Sequence, residues 1–129
     1  MNYKKNLKII ILVLAVIVIG TVIDYFVHST NPDFSVPSEY FINKIIFGTV
    51  WGSIFVFILR RYIKNPRALA AGVSLGVAIV LQTKYFLQGY NLYFVFLFMI
   101  LHFLMFLVPA WLLFKKWDKV VLDIPVKDK

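Results

Sequence analysis

The sequence predicts an all-α membrane protein whose four transmembrane helices form an up-down-up-down bundle with both termini in the cytoplasm. Four long apolar runs divide the chain, and short polar clusters separate them. Of the 129 residues, 61% are hydrophobic and only 16% are charged, which is far from the averages of soluble domains. We expect one domain over residues 1–117, followed by a charged cytoplasmic tail at 118–129.

The first predicted span covers residues 9–27 and follows a short basic leader. A signal peptide starts in a similar way, but its apolar region is shorter and ends in a small-x-small cleavage pattern that is missing here. We therefore expect this span to be retained. Residues 28–40 contain two prolines among turn-forming residues and are predicted to be the longest loop.

The other three predicted spans cover residues 42–59, 68–87 and 92–114. Pro66 suits the first turn of the third helix, where its missing N–H is not needed. Within the tail, the apolar stretch 120–126 is too short to cross a bilayer, so we expect it to lie on the membrane surface.

Basic residues predict the orientation of the bundle. If the leader, the 60–67 turn and residues 115–129 share one side, that side holds 12 of the 14 lysines and arginines. The positive-inside rule makes this side cytoplasmic, most simply at the plasma membrane. The net charge of +8 then serves orientation and attraction to anionic lipid headgroups, and nucleic acid is not an expected partner.

Cofactor and metal chemistry finds little support in the sequence. The chain has no cysteine, which excludes disulfides, thiolate nucleophiles and iron–sulfur clusters. A zinc site built from Asp24, His28 and Glu39 would have suitable ligand types but lacks a characteristic spacing. We therefore predict no cofactor and no metal.

Polar side chains gather near the outer ends of the spans. Asp24 and His28 are four residues apart, so they stack on one helix face. At 1.5 Å per residue, Asp24 lies about 22 Å into a hydrocarbon core of about 30 Å, and Gln82 and Lys84 reach a similar level. These four residues predict an outward-facing pocket for a small ion or a headgroup, in which Lys84 or Lys44 pairs with Asp24. The alternative is that they mark where helices leave the bilayer, with the lysines reaching the headgroups.

Four further residues are secondary candidates for this pocket: Glu39, Asn43, Lys44 and His102. The same depth calculation puts His102 about 15 Å along the fourth span, near the midplane and away from Asp24. There it is expected to bond a backbone carbonyl, Thr49 or Ser53, or else to serve as a proton relay.

Small residues at helical spacing indicate close helix packing. They are Gly48 and Gly52 in the second span and Gly72 and Gly76 in the third. We expect them to pack these two spans against each other, with a homo-oligomer contact as the alternative.

Two functions fit these features equally. The first is a small transport or lipid-handling protein that uses the pocket near Asp24; the second is a structural or accessory subunit bound to a larger membrane partner or a second copy. An intramembrane enzyme using Asp24, His28 or Glu39 as an acid or base has less support, because no nucleophile or metal signature accompanies them. No motif identifies a substrate.

Overall fold

The computed structural model describes residues 2–122, and all regular structure in that range is helical. The four long helices are α1 (Tyr3–Ser29), α2 (Ser38–Leu59), α3 (Pro66–Leu87) and α4 (Leu92–Lys116). A single 3-10 turn (Pro32–Phe34) lies between α1 and α2, and a short helix α5 (Asp118–Val121) follows α4. Each long helix is long and apolar enough to cross a membrane, which confirms the all-helical class and the four predicted spans.

The helices extend beyond the predicted apolar spans, and side-chain caps mark where three of them begin. Asparagine side chains accept backbone N–H groups at three N-termini, namely Asn2 for α1, Asn65 for α3 and Asn91 for α4. Pro66 occupies the first turn of α3, as its missing N–H predicts.

The four long helices enclose a common core. Helix α1 contacts α2 and α4, and α3 contacts the same two helices, so the bundle closes. Ile17, Val56 and Phe106 are buried inside it. The outer faces are also apolar, with Ile46 and Ile100 more than half exposed, as expected of surfaces that face acyl chains.

Contacts between α1 and α4 recur at every fourth residue. The pairs are His28 with Phe98, Asp24 with His102, and Gly20 with Phe106. A Cβ at Gly20 would overlap the Phe106 ring, so only glycine permits this approach. In these pairs the residue number in α4 falls by four as the residue number in α1 rises by four. By the same spacing, Leu92 at the start of α4 lies beyond Ser29, where α1 ends. This register decides which polar side chains meet.

The four predicted packing glycines all face neighbouring helices of the same chain. A Cβ on Gly48 would lie 3.0 Å from Ile17, and one on Gly52 would lie 2.8 Å from Val13, so both glycines of α2 pack chiefly on α1. The prediction that they pack the second span against the third is wrong for Gly48, whereas Gly52 also meets Val77 of α3 at 3.5 Å. On α3, Gly72 faces Leu59 and Gly76 faces Phe55, both on α2.

The segment after α4 folds back onto the bundle. Val121 and Leu122 are buried in the hydrophobic core, so the prediction that this stretch lies on the membrane surface is wrong for these two residues. Helix α5 contacts both α1 and α4. The rest of the predicted tail, 123–129, lies outside the described residues.

Candidate functional site

A buried cluster of polar side chains occupies the end of the bundle where α1 finishes. Every long helix contributes to it, and we call the following five residues the polar cluster: Asp24 and His28 from α1, Lys44 from α2, Gln82 from α3 and His102 from α4. Asp24, Lys44 and His102 are 0% exposed, and Gln82 is 1% exposed. Buried groups of this kind persist in apolar surroundings only when they are paired.

The ion pair between Lys44 and Asp24 is the centre of the cluster. The ammonium of Lys44 donates to Asp24 Oδ2, and its Nζ lies 2.6 Å from His102 Nε2. It also lies 4.1 Å from the centre of the Tyr40 ring, whose face attracts a cation. Lys44 is therefore an internal counter-ion and does not reach the headgroups.

His102 connects Asp24 to Gln82. Its Nε2 lies 3.1 Å from Asp24 Oδ1, and its Nδ1 lies 2.5 Å from the Gln82 side-chain amide. An amide can offer either its NH₂ group or its oxygen, so Gln82 can pair with either protonation state of Nδ1. The expected partners of His102, a backbone carbonyl or the hydroxyls of Thr49 and Ser53, are wrong: both ring nitrogens meet Asp24, Lys44 or Gln82, and both hydroxyls are buried without a hydrogen-bond partner among residues 2–122.

His28 closes the cluster at its outer end. Its Nδ1 donates to the carbonyl oxygen of Phe34 at 2.5 Å, and its ring stacks on Phe98 with the centroids 4.3 Å apart. The other nitrogen, Nε2, lies 3.5 Å from Asp24 Oδ1 and has no hydrogen-bond partner in the described part of the chain. The ring is thus fixed from two sides while one nitrogen still points at the carboxylate.

No protein-family model, curated protein or solved structure matches this chain. The geometry of the cluster is what bears on function.

The structure brings together some of the predicted site residues and leaves others apart. Asp24, His28 and Gln82 meet in the cluster, where they are joined by the secondary candidates Lys44 and His102. Lys84 does not join them: it is half-buried, with its Nζ 3.9 Å from the centre of the Phe47 ring. Glu39 is exposed in the first turn of α2, and Asn43 is partly exposed.

The predicted separation of His102 from Asp24 by depth is wrong. That prediction assumed that the helices begin at the same level. Because α4 extends past the end of α1, His102 is level with Asp24 and Phe98 is level with His28.

Tyr40 and Tyr85 form a wall of the site that the sequence did not reveal. Both are buried, and their rings stack with centroids 4.5 Å apart. The available signal was the four-residue spacing from Tyr40 to Lys44, which puts both on one helix face. Their hydroxyls have no hydrogen-bond partner among the described residues, so they offer polar atoms next to the ion pair.

Two clefts open at the end of α1 beside the cluster. One, of about 160 Å³, is lined by His28 together with Tyr25, Ser29 and Phe41. A larger one, of about 560 Å³, is lined by Phe34 and Phe94, the aromatic neighbours of His28 and Phe98, and not by the cluster itself. His28 therefore stands between the smaller cleft and the buried carboxylate.

Three residues of the cluster could ligate a metal ion. Asp24, His28 and His102 each offer one ligand atom, and these atoms lie within 4.8 Å of one another. Glu39, which the sequence offered as the third ligand, is not part of this group.

Proposed function

We propose that this protein transports a small cation across a membrane and that the cation binds at the polar cluster. The observation that carries the proposal is the pairing of Asp24 with Lys44: a carboxylate with no exposed surface is neutralised by an ammonium group from a neighbouring helix. The cluster therefore contains both a cation site and a cation that belongs to the protein.

Stability alone does not account for such a cluster. Replacing a buried ion pair with apolar residues of similar volume is often neutral or stabilising by about 1–4 kcal/mol. A bundle with a mostly apolar core could pack without these side chains. Ionisable groups inside membrane helices more often mark the path of an ion or a proton.

Lys44 gives the cluster a resting state. When no transported ion is bound, its ammonium keeps Asp24 paired, which avoids an isolated carboxylate in apolar surroundings. An incoming cation displaces the ammonium from Asp24, and the ammonium returns when the cation leaves. Transport then requires no state with an unpaired Asp24.

Polar atoms on both sides of the cluster support a route through the bundle. Entry is through the cleft that His28 lines. Further along the helices, away from this end, lie four buried hydroxyls that have no hydrogen-bond partner among the residues the structure describes: Thr21, Thr49, Ser53 and Ser74. Such hydroxyls can coordinate a cation that has lost its water.

The orientation follows from charge. We infer an up-down-up-down arrangement, supported by the opposed register of α1 and α4, with both termini in the cytoplasm of a plasma membrane. The cluster then faces outward. Anionic headgroups would meet the basic cleft beside Lys4, Lys8 and Lys119 on the opposite side.

Reconstituted liposomes test this function. The purified chain should admit at least one cation from a set of Na⁺, K⁺, Mn²⁺ and Zn²⁺, measured with ion-sensitive dyes trapped inside. Asp24→Asn should reduce the flux to that of empty liposomes. Asp33→Asn is the matched control, because Asp33 is exposed in the loop after α1. Equal flux in Asp24→Asn and the unmodified protein would remove the cluster from the mechanism.

A second candidate function is that of an accessory subunit. An apolar cleft of about 380 Å³ between the N-terminal half of α1 and the end of α4 favours it, since a partner helix could insert a side chain between Leu12 and Trp117. Purification in mild detergent should then recover a second protein in fixed ratio. Recovery of the 15.0 kDa chain alone would count against this function.

A further inference from the structure

Three ligand atoms in the polar cluster lie close enough together to bind one metal ion. Asp24 Oδ1 lies 3.1 Å from His102 Nε2 and 3.5 Å from His28 Nε2, and all three atoms lie within 4.8 Å of one another. Ligands at 2.0–2.1 Å from a tetrahedral zinc ion are about 3.3 Å apart. Two of the three separations already match this value.

Both histidines are held in the orientation that metal ligands adopt. In such sites the second ring nitrogen is usually bonded to a carbonyl or carboxylate, which fixes the ring and directs the first nitrogen at the metal. His28 Nδ1 donates to the Phe34 carbonyl at 2.5 Å, and His102 Nδ1 lies 2.5 Å from the Gln82 amide. In each ring Nε2 is therefore the nitrogen that faces Asp24.

One of these nitrogens has no other role. Within residues 2–122, His28 Nε2 has no hydrogen-bond partner, although the His28 side chain is only 3% exposed. A polar atom in this position normally costs stability. Coordination of a cation would satisfy it.

Lys44 lies beside the place that a metal ion would take. Its ammonium contacts the other carboxylate oxygen of Asp24, Oδ2, and lies 2.6 Å from His102 Nε2, so it approaches two of the three ligand residues. An ammonium and a divalent ion cannot both bind these two residues, because their charges repel at short range. Metal entry therefore requires the Lys44 side chain to move off Asp24.

We propose that Asp24, His28 and His102 bind a divalent transition-metal cation of the zinc class, with an open fourth position, and that the Lys44 ammonium competes with it. Two imidazoles and one carboxylate favour such a metal over Mg²⁺ or Ca²⁺, which prefer oxygen ligands. This inference rests on the proposed function in that it names the transported cation, but binding can be measured without transport.

The test uses the full-length protein purified in detergent. Titration with Zn²⁺ by calorimetry should show one ion per chain, and Co²⁺ should give the intense visible absorption of a tetrahedral complex. The Lys44→Met variant should bind Zn²⁺ at least about tenfold more tightly than the unmodified protein, because the competing charge of the ammonium is gone. Lys84→Met is the matched control and should leave affinity unchanged, since Lys84 lies over Phe47 outside the cluster.

Loss of ligands should have the opposite effect. His28→Ala and His102→Ala should each abolish the Co²⁺ absorption, and Gln82→Leu, which removes a support of His102, should weaken binding about 10- to 100-fold. Each variant is compared only where it elutes as the same monodisperse peak as the unmodified protein. Absence of binding in the unmodified protein, or binding that survives both histidine substitutions, would overturn the proposal. Zn²⁺ binding without cation flux would support the metal site and refute the transport function. Flux of Na⁺ or K⁺ without Zn²⁺ binding would support transport and refute the metal site.

Discussion

Removing one partner of the Asp24–Lys44 pair should destabilise the bundle much more than removing both. Both side chains are 0% exposed, and each lies on a different helix. Lys44→Met leaves Asp24 without its ammonium, and Asp24→Asn leaves a buried ammonium without a carboxylate. An uncompensated buried charge costs about 3–5 kcal/mol, so each single variant should lose roughly that amount of unfolding free energy.

The double variant should recover most of this loss, because no charge is then left unpaired and the shape of the site is nearly kept. The expected coupling energy is therefore at least about 3 kcal/mol. Unfolding with sodium dodecyl sulfate in mixed micelles, followed by tryptophan fluorescence, measures all four forms of the cycle. Lys84→Met is the control for the lysine change, and loss of its contact with Phe47 should cost only about 0.5–1 kcal/mol.

Additive losses would refute this account. If the double variant lost the sum of the two single losses, Asp24 and Lys44 would contribute independently and no pair would exist. Single losses no larger than that of Lys84→Met would mean that the side chains reach water, which contradicts the burial described above.

Two further predictions concern the fold. Gly20→Ala should lower the free energy of unfolding by about 1–3 kcal/mol, because the new Cβ clashes with Phe106. Gly72→Ala is the control and should lower it clearly less in the same assay, because its Cβ meets the flexible end of Leu59 at 3.2 Å. Equal losses would mean that α1 and α4 do not approach closely at Gly20. The chain contains no cysteine, so single cysteines can report the proposed orientation. In spheroplasts, Ser35→Cys should react with a membrane-impermeant maleimide, whereas Tyr62→Cys should react only after lysis. The opposite pattern would mean that the bundle has the opposite orientation in the membrane.

The helices were predictable because their signals are local. Long apolar runs identify the part of each helix that suits hydrocarbon, and Pro66 identifies the start of α3. The burial of Val121 and Leu122 was not predictable in this way. It depends on α5 folding back against α1 and α4, and no nearby residue signals that contact.

The site could be predicted residue by residue but not as an arrangement. Asp24, His28 and Gln82 stand out because each is polar within an apolar run. His102 stands out equally, yet its position relative to Asp24 depends on how far α4 extends past Ser29. That offset is set by the contacts of α1 with α4, including the close approach at Gly20, and counting residues from the ends of separate spans cannot reveal it.

The choice between Lys44 and Lys84 shows most clearly what the sequence lacks. Each lysine continues a row of glycines at four-residue spacing: Lys44 precedes Gly48 and Gly52, and Lys84 lies two turns after Gly76. Spacing and depth therefore describe the two lysines equally well.

The glycine rows differ in what they face. The row on α2 faces α1, which carries Asp24, so Lys44 points at the carboxylate. The row on α3 faces α2, where Gly72 meets Leu59 and Gly76 meets Phe55, so the Lys84 ammonium lies over Phe47 of that helix. Which helix a row of glycines faces is a property of the assembled bundle. Because that choice also determines whether Asp24 has a counter-ion, the packing of α2 against α1 and the chemistry of the cluster depend on the same contacts.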